Sequence, residues 1–237
     1  MEVRAVERDD GRPRRPHHEG HRSRLRGRFR TSGPASLADY ELLELLLGYA
    51  IPRKDTKPIA KGLLERFKSL RRVLDTPAEQ LEQYPGIGRQ ASTLIRLAKA
   101  LMERYLEPFD EAAPVLSRPE RLADYLRTSM GGQARERFMI LCLDASGRLV
   151  HRAVLSEGTV DGAYVYPREV LRTAIESDAV SLVLVHNHPS GTLKPSEQDL
   201  RLTRELSEIC SRVGITLNDH LVVTARGIYS ISLGREL

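Results

Sequence analysis

Leucine positions dominate the early chain. Leu37, Leu42, Leu43, Leu45, Leu46 and Leu47 follow Ser36 at helical spacing. That pattern predicts a helix N-capped by Ser36 and ended by Pro52. Thr56 and Pro58 open a second helix, with Ile59, Ala60, Leu63, Leu64 and Phe67 on its apolar face. Leu70 to Leu74 starts a short third element, and Thr76-Pro77 a fourth that holds Leu81 and ends near Tyr84. Beyond Pro85-Gly86-Ile87-Gly88, the residues Ala91, Leu94, Ile95, Leu97, Ala98 and Leu101 return to helical spacing. The first hundred residues read as all-helical.

Glu107-Pro108, Pro114 and Pro119 interrupt the pattern, and the period then changes. A helix is expected from Pro119 to Ser129, broken by Gly131-Gly132. Phe138 to Leu143 and Leu149 to Ser156 read as strands around a turn at Asp144 to Gly147. Pro167 opens a helix to about Ser177, Val180 to His186 is an apolar strand, and Ser196 to Val213 is a helix. Leu221 to Thr224 and Ile228 to Ile231 are strands around Arg226-Gly227. The expected organisation is a disordered basic tail (1–20), an all-α domain (21–106), a linker (107–114) and a mixed α/β domain with flanking helices (115–237).

Composition adds limits. Hydrophobic residues make up 41% of the 237, enough for a true core, whereas aromatics are 5% and Trp is absent. Stacking platforms for single-stranded nucleic acid are therefore sparse. The net charge of +5 leans weakly toward an acidic partner. The excess sits in Arg12, Arg14, Arg15, Arg22, Arg24, Arg26, Arg28 and Arg30. His17, His18 and His21 read as part of a solvated tail rather than a metal tract. Cys142 and Cys210 form no CxxC pair and are expected as buried thiols in a reducing cytosol. With no apolar run near 18 residues and no signal peptide, a soluble cytoplasmic protein is expected, away from membranes.

The strongest chemical signal is His186-Asn187-His188-Pro189-Ser190-Gly191, followed by Pro195-Ser196 and Asp199. On a strand, residues two apart share a face, so both imidazoles project together from the strand end. Two nitrogens and a carboxylate make a common shell for one catalytic Zn²⁺, with a fourth position left for water. The plainer alternative is a pair of polar strand-end residues, with Ser196 and Asp199 forming a helix cap. Both readings of Ser196 are compatible.

Pro85-Gly86-Ile87-Gly88 between helical patterns resembles the helix-hairpin-helix motif of DNA-binding proteins. Gly86 and Gly88 permit positive φ and close backbone approach, so amides opening the next helix can meet a phosphate oxygen. Arg89, Arg96 and Lys99 add charge. Gly86, Ile87, Gly88 and Arg89 are thus candidates for contact with a DNA backbone, independent of sequence and salt-sensitive. The alternative is a tight turn with Ile87 as a core plug.

His-x-His-Pro, with Asp199 eleven positions beyond His188 and Ser196 three before it, is similar to the JAMM motif of MPN-type metalloproteases. The full string HNHPSG…PSEQD resembles more specifically the RadC family, whose JAMM domain follows a helix-hairpin-helix region. The resemblance implies a JAMM/MPN domain of cytidine-deaminase-like fold, and runs from about His21 to Leu237. It implies His186, His188 and Asp199 as zinc ligands, Ser196 as a residue orienting water or oxyanion, and Glu136 as general base. Glu157 in Ser156-Glu157-Gly158-Thr159 stands nearer the histidines in sequence and is the competing base, while Glu136 has the plain alternative of pairing with Arg135 or Arg137. Glu169 suits the first turn of a helix. Asp219 and His220 match a pair found in RadC-like sequences, which implies a role supporting the site or the structure, and they are left outside the site. The implied activity is hydrolysis of a peptide or isopeptide bond by zinc-activated water, with an unknown protein substrate and possible recruitment to DNA. The competing expectation is a DNA-binding repair or recombination factor whose JAMM domain acts on nucleic acid or is a non-peptidase interaction module. Oligomeric state is left open.

Overall fold

The computed structural model describes residues 17–107, 113–158 and 165–237, with side chains from Gly20 onward. The chain divides into two compact units, one ending at Arg96 and the other starting at Leu97. The division falls inside a single helix.

The first unit contains α1 (His17–Ser32), α2 (Asp39–Ala50), α3 (Lys57–Phe67), α4 (Leu70–Asp75), α5 (Ala78–Glu82) and the start of α6 (Arg89–Leu106). Leu43, Leu47, Ala60, Leu63, Val73, Leu81, Ile87, Ala91 and Ile95 close its core. These are the apolar positions of the helical pattern, and their burial offsets the ordering of five short elements.

Two details depart from expectation. The Leu-rich helix begins at Asp39 with Ala38 as N-cap, not at Ser36. Ser36 instead closes a 3₁₀ turn, its hydroxyl donating to the Gly33 carbonyl, and Leu37 runs extended into the core. The Glu41 carboxylate accepts from the Ala38 amide, one half of a capping box, and the half that Ser36 was expected to give is absent because alanine has no side-chain acceptor. The second departure is α1 itself. It starts at His17, inside the segment expected to be a disordered tail, and Leu25 is its single buried apolar residue. Polar contacts hold it: Arg28 pairs with Glu41, His21 Nε2 stands 3.1 Å from the buried Glu44, and Arg22 donates to the carbonyls of Ile51, Pro52 and Lys54. Arg22 thereby satisfies acceptors at the C-terminal end of α2. Arg12, Arg14 and Arg15 lie outside the described residues.

The second unit adds α7 (Pro119–Ser129), β1 (Arg137–Leu143), β2 (Leu149–Glu157), α8 (Pro167–Glu176), β3 (Ser181–Asn187), α9 (Glu197–Arg212), β4 (Thr216–Val223), β5 (Ile228–Ser230) and β6 (Arg235–Glu236). The sheet order is β2-β1-β3-β4-β5-β6. Among the described strands only β3 and β4 are parallel, joined through α9, so the sheet is mixed. One sheet face carries Met139, Leu141, Val183 and Val185 against Leu122, Leu126 and Met130 around α7. The other carries Phe138, Ile140, Leu182 and Leu184 against Val170 and Ala174 of α8 and Leu206 and Cys210 of α9. This is a three-layer α/β/α arrangement, as the alternating pattern predicts. Strand β4 begins at Thr216, five residues before the expected start, because polar Asn218, Asp219 and His220 mask its period. Cys142 and Cys210 are buried free thiols, and burial raises the pKa of each. Among the described residues no helix is long and apolar enough to cross a membrane.

Candidate metal centre

All seven residues of β3 are buried. Its apolar body is held between two layers of helices, which carries His186 into the interior at 1% exposure. Phe138, opposite His186 on β1, stacks on the imidazole with 6.2 Å between centroids and an 8° interplanar angle. His188 lies just past the strand, yet its amide still donates to Val223 of β4 at 2.9 Å. The ladder therefore aims the second imidazole as well. A turn closes behind it: the Gly191 amide donates to the His188 carbonyl, and Gly191 has φ of 82°. This turn returns the Thr192 carbonyl to His188 Nδ1 at 2.7 Å.

Asp199 arrives from α9. Ser196 is the N-cap, and the two residues form a reciprocal capping box. The Asp199 amide donates to Ser196 Oγ at 3.1 Å, while the Ser196 amide and hydroxyl both donate to Asp199 Oδ2 at 2.6 Å. The cap fixes the carboxylate in front of the histidines. Asp199 Oδ1 is 3.2 Å from His186 Nε2, and Oδ2 is 3.5 Å from His188 Nε2. The two Nε2 atoms are 2.9 Å apart. Among the described residues, His186, His188 and Asp199 form a cluster whose ligand atoms lie within 4.8 Å of one another.

The donor chemistry fits a cation. A carbonyl only accepts, so neutral His188 must carry its proton on Nδ1 toward Thr192, which leaves a lone pair on Nε2. That lone pair, His186 Nε2 and a carboxylate crowd one small volume that requires positive charge. Burial would push the Asp199 carboxyl up, but contacts from His186, His188 and Ser196 outweigh it and hold it well below the carboxylate range. The same carboxylate raises the His188 pKa against the opposing effect of burial. The residues present suit Zn²⁺, which takes nitrogen and oxygen ligands at about 2.0–2.2 Å.

The two candidate bases stand differently. Phe138 and His186 pair across β1 and β3 and face the α9 side. Glu136, two residues before Phe138, continues that face, and its charge acts on His188. Glu157 pairs in register with Arg137, on the alternate face, and its carboxylate is 2.9 Å from the Arg137 guanidinium. Glu169 pairs with Arg168 and Arg172 on the first turn of α8.

Asn187, between the two histidines, points the other way and does something the sequence did not reveal. Its Oδ1 accepts from the Arg137 amide at 2.8 Å, and its Nδ2 donates to the Arg135 carbonyl at 3.1 Å. The backbone on both sides of Glu136 is thus pinned to the strand that carries the histidines. The Glu136 carbonyl accepts from the Gly158 amide at 2.8 Å, completing the hold. The only sequence sign was an amide residue between two imidazoles.

Asp219 and His220, adjacent in sequence, separate in space. Asp219 accepts from Ser230, from the Ser232 amide and from the His220 amide, tying β4 to the chain end. The His220 ring lies on the other side, 2.8 Å from His186 Nδ1 and fully buried. Burial, then the neighbouring His186, keeps its pKa well below the usual value. Thr203 on α9 also reaches it. Pairing of Leu184 with His220 on parallel β3 and β4 explains the meeting, and that pairing could not be read from the sequence.

In the helical unit, Gly86 has φ of 91°, and a Cβ there would lie 2.8 Å from Ile59 Cδ1. Gly88 has no positive φ and open space around it, so its expected conformational role is corrected. Ile87 is a core residue at 5% exposure, and its amide donates to the Tyr84 carbonyl. Its side chain and its amide are therefore committed inside the hairpin. Arg89 opens α6 and is exposed.

Comparison with protein families agrees with this arrangement. Residues 116–236, just over half of the chain, match the RadC-like JAB domain. Residues 18–93 match the UPF0758 N-terminal domain. The chain, with a JAB-type α/β unit behind a helical N-terminal unit, belongs to the RadC family.

Proposed function

We propose that this protein is a zinc-dependent hydrolase of the JAMM type that cleaves an amide bond, peptide or isopeptide. The observation that carries this is the convergence of His186 Nε2, His188 Nε2 and Asp199 within 4.8 Å, three protein ligands and no fourth among the described residues. A structural zinc site is closed by four protein ligands, whereas a catalytic one keeps a position open. Zn²⁺ held there supplies Lewis acidity and lowers the pKa of a bound water toward about 7. Glu136 takes the proton of the attacking water and delivers it to the leaving nitrogen. Asn187 keeps the backbone of Glu136 registered to the histidines. Ser196 acts twice: it steadies Asp199, and by rotation of its hydroxyl it donates to the oxyanion. Glu157 stays engaged with Arg137. Two unpaired buried thiols suit a reducing compartment such as the cytoplasm.

Metal analysis of the purified protein tests the centre, and a panel of peptide and isopeptide conjugates tests the reaction. One zinc per chain, with cleavage abolished by chelator, is expected. A protein that stays metal-free in excess zinc would end the proposal.

A second reading concerns the helical unit: the hairpin holds a DNA backbone, and the JAB-type unit acts on protein, on nucleic acid, or as a docking module. The favouring observation is the left-handed Gly86 before the N-terminus of the 18-residue α6, with Arg89 exposed there. Binding to duplex DNA measured over a salt series tests it, and an affinity indifferent to salt excludes it.

A further inference from the structure

We propose that His220 and Thr203 are positioning residues that set the tautomer of His186, so that Nε2 faces the metal centre. The proposal rests on the metal reading above but is derived from hydrogen-bond directions.

The Asp199 carbonyl accepts and cannot donate. Thr203 Oγ1 is 2.6 Å from it, so the single hydroxyl proton of Thr203 is spent there. Thr203 Oγ1 is also 2.6 Å from His220 Nδ1. With its proton already committed, the threonine oxygen can only accept, so His220 carries a proton on Nδ1. Neutral His220 then has a lone pair on Nε2. That lone pair is 2.8 Å from His186 Nδ1, which must donate to it. A proton on His186 Nδ1 leaves Nε2 as the lone-pair nitrogen, and Nε2 is the atom that stands 3.2 Å from Asp199 Oδ1 and 2.9 Å from His188 Nε2.

The chain of bonds runs from a ligand's own backbone back to another ligand's ring. It begins at the Asp199 carbonyl on α9, crosses to β4 at His220 and ends on β3 at His186. Its two histidines are enclosed, at 1% and 0% exposure for His186 and His220, while Thr203 is partly buried. Phe138 closes the remaining side, stacked on His186 and edge-on to His220 at 5.4 Å between centroids. The matching hold on His188 is a single carbonyl, that of Thr192. His186 has no backbone carbonyl in that place, and a buried histidine supplies the acceptor instead. Ligand-orienting partners of this kind typically change metal affinity about 10- to 100-fold when removed.

The test uses the full chain with four variants: Thr203→Val, Thr203→Ser, His220→Phe and His220→Gln. Nitrogen-15 correlation spectra of the imidazoles report tautomers with and without zinc, and competition with a chelator reports zinc affinity. Wild type is expected to show Nδ1–H for both His186 and His220. Thr203→Val should release His220 from that tautomer and weaken zinc about 10-fold or more. Thr203→Ser, which keeps the hydroxyl, should stay within about 3-fold of wild type. His220→Phe should weaken zinc further, and His220→Gln, whose carbonyl oxygen can take the His186 proton, should recover part of the loss. Thr203→Val keeps the side-chain shape, so it serves if His220→Phe fails to fold. His186 found with its proton on Nε2 overturns the relay whatever zinc does. So does equal zinc affinity in Thr203→Val and wild type, or an equal loss in Thr203→Ser and Thr203→Val. If wild type shows both Nδ1–H tautomers but takes up no zinc, the metal reading fails and the relay stands.

Discussion

The candidate metal centre and the hairpin turn are both built where a helix starts, at α9 and at α6, and they are built from different material. At α9 the working groups are side chains: Ser196 caps, Asp199 projects, and the histidines come to meet it. At α6 the side chain nearest the turn, Ile87, is buried in the core, and the turn offers backbone. Side-chain chemistry constrains residue type at each position. Backbone chemistry constrains conformation, which many sequences can satisfy. One region is therefore restricted in residue type, and the other only in shape.

The largest effect should come from removing the ligands. His186→Ala with His188→Ala should abolish zinc binding, because Asp199 alone is left. The chain should retain its sheet by circular dichroism, since His186 is next to last in β3 and His188 lies just past it. Stoichiometric zinc in the double variant would mean that other residues bind it.

The next effect separates the two acids. Glu136→Gln should keep zinc and lose cleavage by about 10²–10⁴-fold, the usual contribution of a general base. Glu157→Gln breaks a contact with Arg137 and should leave turnover within about 2-fold, as exposed ion pairs contribute about 0.2–1 kcal/mol. Interchanged outcomes would assign the base to Glu157 and break the link between Asn187 and catalysis.

The hairpin glycines extend the comparison to backbone. Gly86→Ala forces a Cβ into left-handed backbone and against Ile59, and should destabilise the helical unit by about 1–2 kcal/mol in urea unfolding. Gly88→Ala meets open space without positive φ, and should change stability by less than about 1 kcal/mol. Equal losses at the two positions would show that the turn is held by something other than the Gly86 conformation.

Legibility in the sequence followed the same division. The cluster of His186, His188 and Asp199 and the cap Ser196 were readable because their types and spacing are restricted by chemistry. The elements with clear apolar period, such as α3, β1 and α9, were readable because burial demands that period. Asn187 was not, because its partners lie 50 and 52 residues away, on a backbone that any residue could supply. The contact of His220 with His186 was not, because it depends on the parallel pairing of β3 with β4. Helix α1 was missed because it has one buried leucine and is docked by charge, which leaves no hydrophobic period to detect.

That last case carries the smallest predicted effect. Glu41 accepts from the Ala38 amide and pairs with Arg28, and these two contacts, against a small opposing effect of burial, lower its pKa from the ordinary 4.5. A carboxyl with a depressed folded-state pKa stabilises the fold above its unfolded value, and the gain disappears as pH falls through the folded value. The contribution of the Arg28 pair and the cap should therefore be complete at pH 6 and absent at low acid pH. Glu41→Gln should weaken α2's start and the docking of α1 by about 0.5–1 kcal/mol at pH 6. The gap between wild type and Glu41→Gln should begin to narrow as pH falls through the ordinary 4.5 and close below the depressed folded value, where the carboxyl is neutral in both states. Amide exchange in α1 would register it, faster in the variant at pH 6 and equal to wild type in acid. A gap that persists unchanged in acid would mean that α1 is held by packing around Leu25 rather than by charge, and the two halves of the chain would then be built on the same principle.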